Sequence, residues 1–430
     1  MALVRPLRAI RYDTSVVADL GGCLAPPYDV ISDSLRERLY SRDLRNVVRV
    51  DYGVGYEDDV DGVNDRYTRA AAHLASWQEL GVLVRDPRPA IYVHEHTFTT
   101  LDGRSLTRRG LFARVRALPW AQSDVLPHEH TLRGPKEDRL RLMRATGMQT
   151  SGVFLLWDVA PGVEAALDEA MTGSPAAEAE TEGEVGLERH RLAVVDGEAE
   201  VTALVEALAG ARLYMADGHH RFETAAAYAA ERRAADPGAG PDADHQWTLA
   251  YMCAAGDPAM ELLPTHRLVR PATGVPGTVA DLVGRLGGAY MTEPMPDLAS
   301  AAARSAEIGG GRGVVAVAVA AADGAAVLVR PRPLSASPRE RLDVTVVERD
   351  LLLDACGLDA ERIGGGALAY ARTVEAAAEA VASGAAALAI VVNPCSTQEM
   401  IDVSDAAEQM PQKSTYFYPK VPTGLVISPL

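Results

Sequence analysis

Between residues 215 and 225 the chain reads MADGHHRFETA. Five successive positions carry a carboxylate (Asp217), a glycine (Gly218), two imidazoles (His219, His220) and a guanidinium (Arg221), between an apolar run and an alanine-rich run. This pattern predicts a turn from a strand into a helix. A helix start offers unpaired backbone N–H groups and the positive end of the helix dipole. Gly218 would let an anion approach the backbone, Arg221 could fork onto two phosphate oxygens, and the imidazoles could add donors. In a pure anion trap Asp217 would repel phosphate. It has a purpose if it holds a divalent cation such as Mg²⁺ or takes the proton of an attacking hydroxyl. A helix cap accounts for Asp217 alone and leaves His219, His220 and Arg221 unexplained.

Two further stretches hold chemistry-bearing groups. In LPHEHTLRGPKEDRLRLMRATG (126–147), Glu129 stands between His128 and His130 as a general base or metal ligand, and Lys136, Arg139 and Arg141 add positive charge. A basic amphipathic helix explains Arg141 and Arg144 equally well. In MPQKSTYFYPKVPTGLVI (410–427), Lys413, Ser414 and Thr415 are candidates for phosphate contacts, with Tyr416 or Phe417 against a ring. A β-segment burying Tyr416 and Tyr418 is the alternative. Seven of the ten histidines lie in these motifs, in VHEHTF (93–98) or beside Pro264-Thr265. The repeated His-Glu-His-Thr suggests a shared site, with Glu95 as a second candidate acid. Tyr28 and Asp29, in the turn APPYDVIS, join Glu95 and Tyr416 as weaker candidates for substrate contacts.

These groups must be positioned by a chain of 430 residues, which is long enough for two or three domains. Its composition is that of a soluble globular protein, 48% hydrophobic and 23% charged. A formal net charge of −17 argues against a general binder of nucleic acid or anionic membrane, both of which need a broad positive field. A local basic pocket for one small anion is still compatible with that balance. The four scattered cysteines fit a reducing cytoplasm, and the arginine-interrupted start argues against a signal peptide. There is no GxxxxGK[ST] loop, HExxH or GxSxG.

The pattern predicts a hairpin over 91–116 turning at Asp102-Gly103, preceded by a helix that stops near Gly81. Residues 173–189 are acidic and poor in large apolar groups, and read as a surface insertion or linker. From 191 onward strands and helices interleave, with helix starts marked by capping-box spacing at Ser396/Glu399 and Thr345/Glu348. The fold class is therefore mixed α/β (α+β).

PPYDVIS, PHEHTL…GPKEDRL, MADGHHRFETA and MPQKSTYFYPK…TGLVI together resemble the bacterial family catalogued as domain of unknown function 1015, from residue 26 to 427. More distantly, DGHHR is similar to the phosphate-binding turn of the ParB/sulfiredoxin superfamily, especially its free-serine kinases. That second resemblance implies a ParB/sulfiredoxin-like domain with additional mixed-sheet α/β structure. It makes Asp217 the catalytic or metal-linked acid and 218–221 the phosphate cradle, and it implies a glutamate base from another part of the domain, with no aligned position here. Glu129, also a candidate metal contact, is the first choice and Glu95 the second.

The resulting expectation is a cytoplasmic phosphotransferase using ATP or ADP with Mg²⁺ on a small hydroxylated metabolite, free L-serine or an analogue first. Its partners would be small molecules, with no nucleic acid or membrane. The alternatives are a metal-dependent phosphatase and a nucleotide-binding switch without turnover. Residues 1–240 would form the catalytic region. Residues 247–430 would form a second α/β domain whose KSTYFYPK segment closes onto the site.

Overall fold

The computed structural model describes residues 4–129, 133–309 and 313–430. The chain forms two compact units: residues 1–127, 131–261 and 419–430 make the first, and 128–130 with 262–418 make the second. His130 lies outside the described residues.

The main elements of the first unit are β1 (Ile91–Thr99), β2 (Ser105–Arg116), α1 (Arg133–Thr146), β3 (Val153–Trp157), β4 (Ala177–Gly183), β5 (Gly186–Val195), β6 (Leu213–Asp217), α2 (His219–Ala235) and β7 (Trp247–Ala254). The strands lie side by side in the order β6-β3-β7-β2-β1-β5-β4, with the short Val125–Leu126 beyond β6. The β3–β7 pair is parallel, while β6–β3, β7–β2, β2–β1 and β1–β5 are antiparallel. This is a mixed sheet, as the interleaved pattern predicts. The central strand β3, VFLLW, is buried along its whole length, which is why it reads as an unbroken apolar run. Trp157, Tyr92, Tyr214, Phe112 and Phe222 fill this core.

The β1–β2 hairpin turns at Asp102-Gly103, where Gly103 has φ +86°. The helix before it runs from Arg66 to Glu79 and is followed by Gly81 at φ +69°. The acidic segment is a correction to the sequence reading: it forms the β4–β5 hairpin at the sheet edge. In β4, AEAETEG, Ala177 and Ala179 turn inward while Glu178 and Glu180 face solvent. Period-two alternation with only Ala177, Ala179 and Thr181 facing inward carries a weak hydrophobic signal, so charge dominates the pattern.

The second unit holds a six-stranded antiparallel sheet in the order Met291–Met295, Gly324–Pro331, Val314–Ala321, Leu388–Val391, His266–Val269, Leu368–Ala371. Its core is alanine- and valine-rich, built from residues such as Ala301, Val327, Ala377 and Val391. Ser396 and Glu399 form the capping box expected of them. Thr345 and Glu348 do not. That helix starts at Asp343, after Leu342, and Thr345 is buried within it, because the apolar residues around it outweigh a local hydroxyl cap.

Candidate functional site

The junction read from DGHHR is where the pattern put it. Strand β6 ends at Asp217, Gly218 turns the chain at φ +93°, and α2 starts at His219. Positive φ costs a side-chain-bearing residue energy. Space is short as well: a Cβ on Gly218 would lie 3.1 Å from Cζ and Nε of Arg221, which folds back over it. As cap residue, Gly218 supplies no side chain to the first N–H groups of α2.

Asp217 is held between two cations. Arg221 Nη2 donates to its Oδ2 at 2.6 Å and Lys420 Nζ to its Oδ1 at 2.5 Å. Burial works to raise the Asp217 carboxyl, but Lys420 and Arg221 outweigh it and hold the group well below the ordinary carboxylate range. Arg221 is anchored further by donating from Nη1 to Ser151 Oγ at 2.7 Å and to the carbonyl of Gly152. Ser151 and Gly152 precede β3, whose Phe154 pairs with Asp217 across a bulge in β6, so sheet register carries the anchor to the acid.

Lys420 was not singled out from the sequence. It stands in the quoted YPK, but only the fold reveals that this lysine, and not Lys413, belongs with Asp217. Its neighbour Pro419 is held from behind: fully buried Arg108 on β2 donates to the Pro419 carbonyl at 2.9 Å.

Arg108 belongs to a buried polar layer containing the first His-Glu-His. His94 and His96 share one face of β1, as residues two apart on a strand must. His94 Nε2 lies 3.1 Å from His190 Nδ1, His96 Nε2 lies 2.9 Å from Glu188 Oε2, and His190 Nε2 lies 2.8 Å from Thr181 Oγ1. Arg108 stands opposite His96 in register, over the rings of Phe154 and Tyr251. Burial above all, with nearby cationic groups, pushes all three histidines well below their usual value. His96, Glu188 and His190 have the composition of a three-ligand metal set. Burial raises the Glu188 carboxyl, with His190 and Arg108 opposing it, and His94 Nδ1 and His96 Nδ1 are buried without a hydrogen-bond partner. Glu95 faces the other way and is held by Arg109 at 2.7 Å and Arg191 at 2.9 Å.

The remaining candidates of the first unit surround the Asp217 turn in different ways. His219 is buried against Trp120, whose ring stacks on Phe222 at 4.5 Å. His220 is half-buried, and its carbonyl accepts a hydrogen bond from Thr224. Lys136 pairs with Glu223 on α2. Arg139 is buried, with Nη1 on the Asp51 carbonyl at 2.7 Å and Nε and Nη2 on Asp138 Oδ2 at 2.8 and 2.5 Å. Its guanidinium lies 4.1 Å over the ring of Tyr28, whose hydroxyl burial pushes up to about 12. Asp29 is exposed beside it. Tyr28, Arg139, Arg221, Asp51 and Ser151 line a cavity of about 30 Å³, which has room for a water-sized group. Asp51, also absent from the sequence reading, has one buried carboxylate oxygen without a partner there.

His128, Glu129, Lys413, Ser414, Thr415 and Tyr416 belong to the second unit, and the fold gathers most of them. His128 is buried with Nε2 2.9 Å from Thr415 Oγ1, and the Ser414 N–H donates to Glu129 Oε1 at 3.3 Å. Glu129 pairs in parallel with Met410. Lys413 is exposed at φ +58°, and Tyr416 lies under Arg372 at 4.5 Å. His128 and Glu129 therefore fall in a different unit from His94, Glu95 and His96.

Residues 4–344 match the family described as "Protein of unknown function (DUF1015)", and the chain belongs to it. No curated protein matches the sequence. Among solved structures, a conserved hypothetical protein from Pyrococcus furiosus is similar at 12% identity and TM-score 0.35, over 71% of this chain and 92% of that one. A free serine kinase in complex with AMP is similar at 13% identity and TM-score 0.36, over 70% and 89%. A variant of a free serine kinase in complex with ADP is similar at 14% identity and TM-score 0.35, over the same shares. No helix among the described residues is long and apolar enough to cross a membrane.

Proposed function

We propose that this member of the DUF1015 family is a nucleotide-dependent phosphotransferase acting on a small hydroxylated metabolite, with free L-serine or a close analogue the first acceptor to test. One observation carries the reading: a carboxylate clamped between Lys420 and Arg221 at the start of a helix whose cap residue is glycine. Structures of free serine kinases hold AMP or ADP, but at a TM-score near 0.36 the likeness is too low to bear on activity. The proposal rests on the side chains.

Phosphoryl transfer asks a protein mainly for positioning and charge neutralisation. Terminal phosphate oxygens arriving at the start of α2 would take hydrogen bonds from its N–H groups, Arg221 and Lys420. Those two cations now neutralise Asp217. Once they turn to phosphate, the carboxylate loses its clamp and regains basicity, so its proton affinity rises when the donor is bound. In the free protein Asp217 is too acidic to be a strong base.

One carboxylate together with phosphate oxygens is a usual donor set for Mg²⁺, so once Lys420 and Arg221 move Asp217 would either hold that ion or take the hydroxyl proton, because a metal-bound carboxylate is a weak base. Bound Mg²⁺ would supply further neutralisation of phosphate charge. His128, Glu129, Lys413, Ser414 and Thr415 receive no role in this reading.

The test is phosphoserine production from L-serine with ATP or ADP and Mg²⁺, in the wild-type chain and in Asp217→Asn. Product from the first and none from the second supports the proposal. Phosphate released from phosphoserine without nucleotide would favour a phosphatase. Tight nucleotide binding with neither product would favour a switch.

A further inference from the structure

The second unit contains a cavity of about 690 Å³, well within the range of small-molecule sites and far larger than the one beside Arg221. Three loops enclose it. Gly309 ends the helix Leu298–Gly309, Arg332, Arg341 and Asp343 follow the strand Gly324–Pro331, and Asn393 to Glu399 lead into the helix Thr397–Asp405. The wall is built closely: a Cβ on Gly309 would lie 2.2 Å from Asn393 Nδ2, which donates to the carbonyls of Ser305 and Ala316.

Its charges have both signs. Arg332 is committed, with Nη2 2.7 Å from Asp343 and also donating to the carbonyl of Val314 at 3.0 Å, and Nη1 donating to the carbonyl of Arg341. Arg341 is exposed on the rim and forms no ion pair among the described residues. The same cavity is lined by Glu399, whose Oε2 accepts from Ser396, and Asp402, which accepts from Gln398 at 2.7 Å. Burial pushes the Asp343 carboxyl up to about 6, with Arg332 opposing and Glu399 assisting. The Cys395 thiol in the same wall is pushed by burial up to about 12, so it is no nucleophile near neutral pH.

A purely anionic ligand would meet three carboxylates here, and a purely cationic one two guanidinium groups. A molecule carrying both charges can meet groups of each sign in this lining. We propose that this cavity binds a small zwitterion of the amino-acid class, its carboxylate on Arg341 and its ammonium toward Glu399 and Asp402. The cavity is formed wholly within the second unit, so this inference does not depend on phosphotransfer at Asp217.

The twenty L-amino acids, and acetate and methylammonium as single-charge controls, would be titrated singly into the full chain by calorimetry. At least one amino acid is expected to bind saturably at millimolar concentration or below, and neither control to do so. Arg341→Ala and Asp402→Asn, both at the rim, should each weaken that binding about tenfold, as loss of one charged contact does. Asp217→Asn should leave it unchanged. Binding by no amino acid, equal binding of acetate, or affinity untouched by both rim substitutions would overturn the proposal. Unaltered thermal melting of the rim variants separates lost binding from lost fold.

Discussion

Lys420 donates to Asp217 across 203 positions of sequence, at 2.5 Å, and with Arg221 completes a cation–carboxylate–cation row at the start of a helix. The row is held from two sides: Ser151 and Gly152 fix Arg221, and Arg108 fixes the residue before Lys420.

Lys420→Met should therefore act on both stability and turnover. The lysine side chain is 10% exposed, so losing a charged hydrogen bond there is expected to cost about 1–3 kcal/mol. Urea denaturation measures the first effect and phosphoserine formation the second. Full activity in the variant would remove Lys420 from the site.

Gly218→Ala places a side chain at φ +93° and against Arg221. A left-handed conformation costs such a residue about 1–2 kcal/mol. The expected result is a modest drop in stability with a much larger loss of nucleotide binding, because the guanidinium is displaced. Nucleotide titration beside a thermal melt separates the two.

Arg139 and Arg221 should part company when substituted. Arg139→Met removes the donors to Asp138 Oδ2 and to the Asp51 carbonyl, while Arg66 and Tyr67 still hold Asp138 and Thr150 still holds Asp51, so the loss of these charged hydrogen bonds costs about 1.5–3 kcal/mol. Arg221→Lys keeps the charge but cannot reach Asp217, Ser151 and Gly152 together. It should spare most of the stability and weaken nucleotide binding about tenfold or more. The reverse pattern would make Arg139 the phosphate ligand.

The buried histidine layer predicts a pH dependence. His94, His96 and His190 have folded-state values well below the ordinary 6.5. Below about pH 6.5 the unfolded chain takes up protons that the folded chain refuses, so stability is full above that pH and falls as the solution is acidified toward the folded values. Urea denaturation between about pH 8 and about pH 5 should show this slope, and His190→Gln should flatten it. A flat profile in the wild-type chain would mean that the layer is solvated.

Much of this was legible in the linear chain. Period-two and helical spacings located the β1–β2 hairpin, the strand–turn–helix at Asp217 and the Ser396/Glu399 cap, because each depends on residues within a few positions of one another. The acidic hairpin at 177–195 was hidden, since alanine buried against charge leaves little periodic signal.

The sequence alone determined that Asp217, Gly218 and Arg221 share one turn, because local backbone geometry places groups three or four residues apart together. Only tertiary structure decided which distant groups join them. It chose Lys420 over Lys413, turned Arg139 inward onto Asp51 and Asp138, and set Glu95 and His96 on opposite faces of one strand. Those choices follow from sheet register and from the pairing that burial requires of every charge, and neither is written in local spacing.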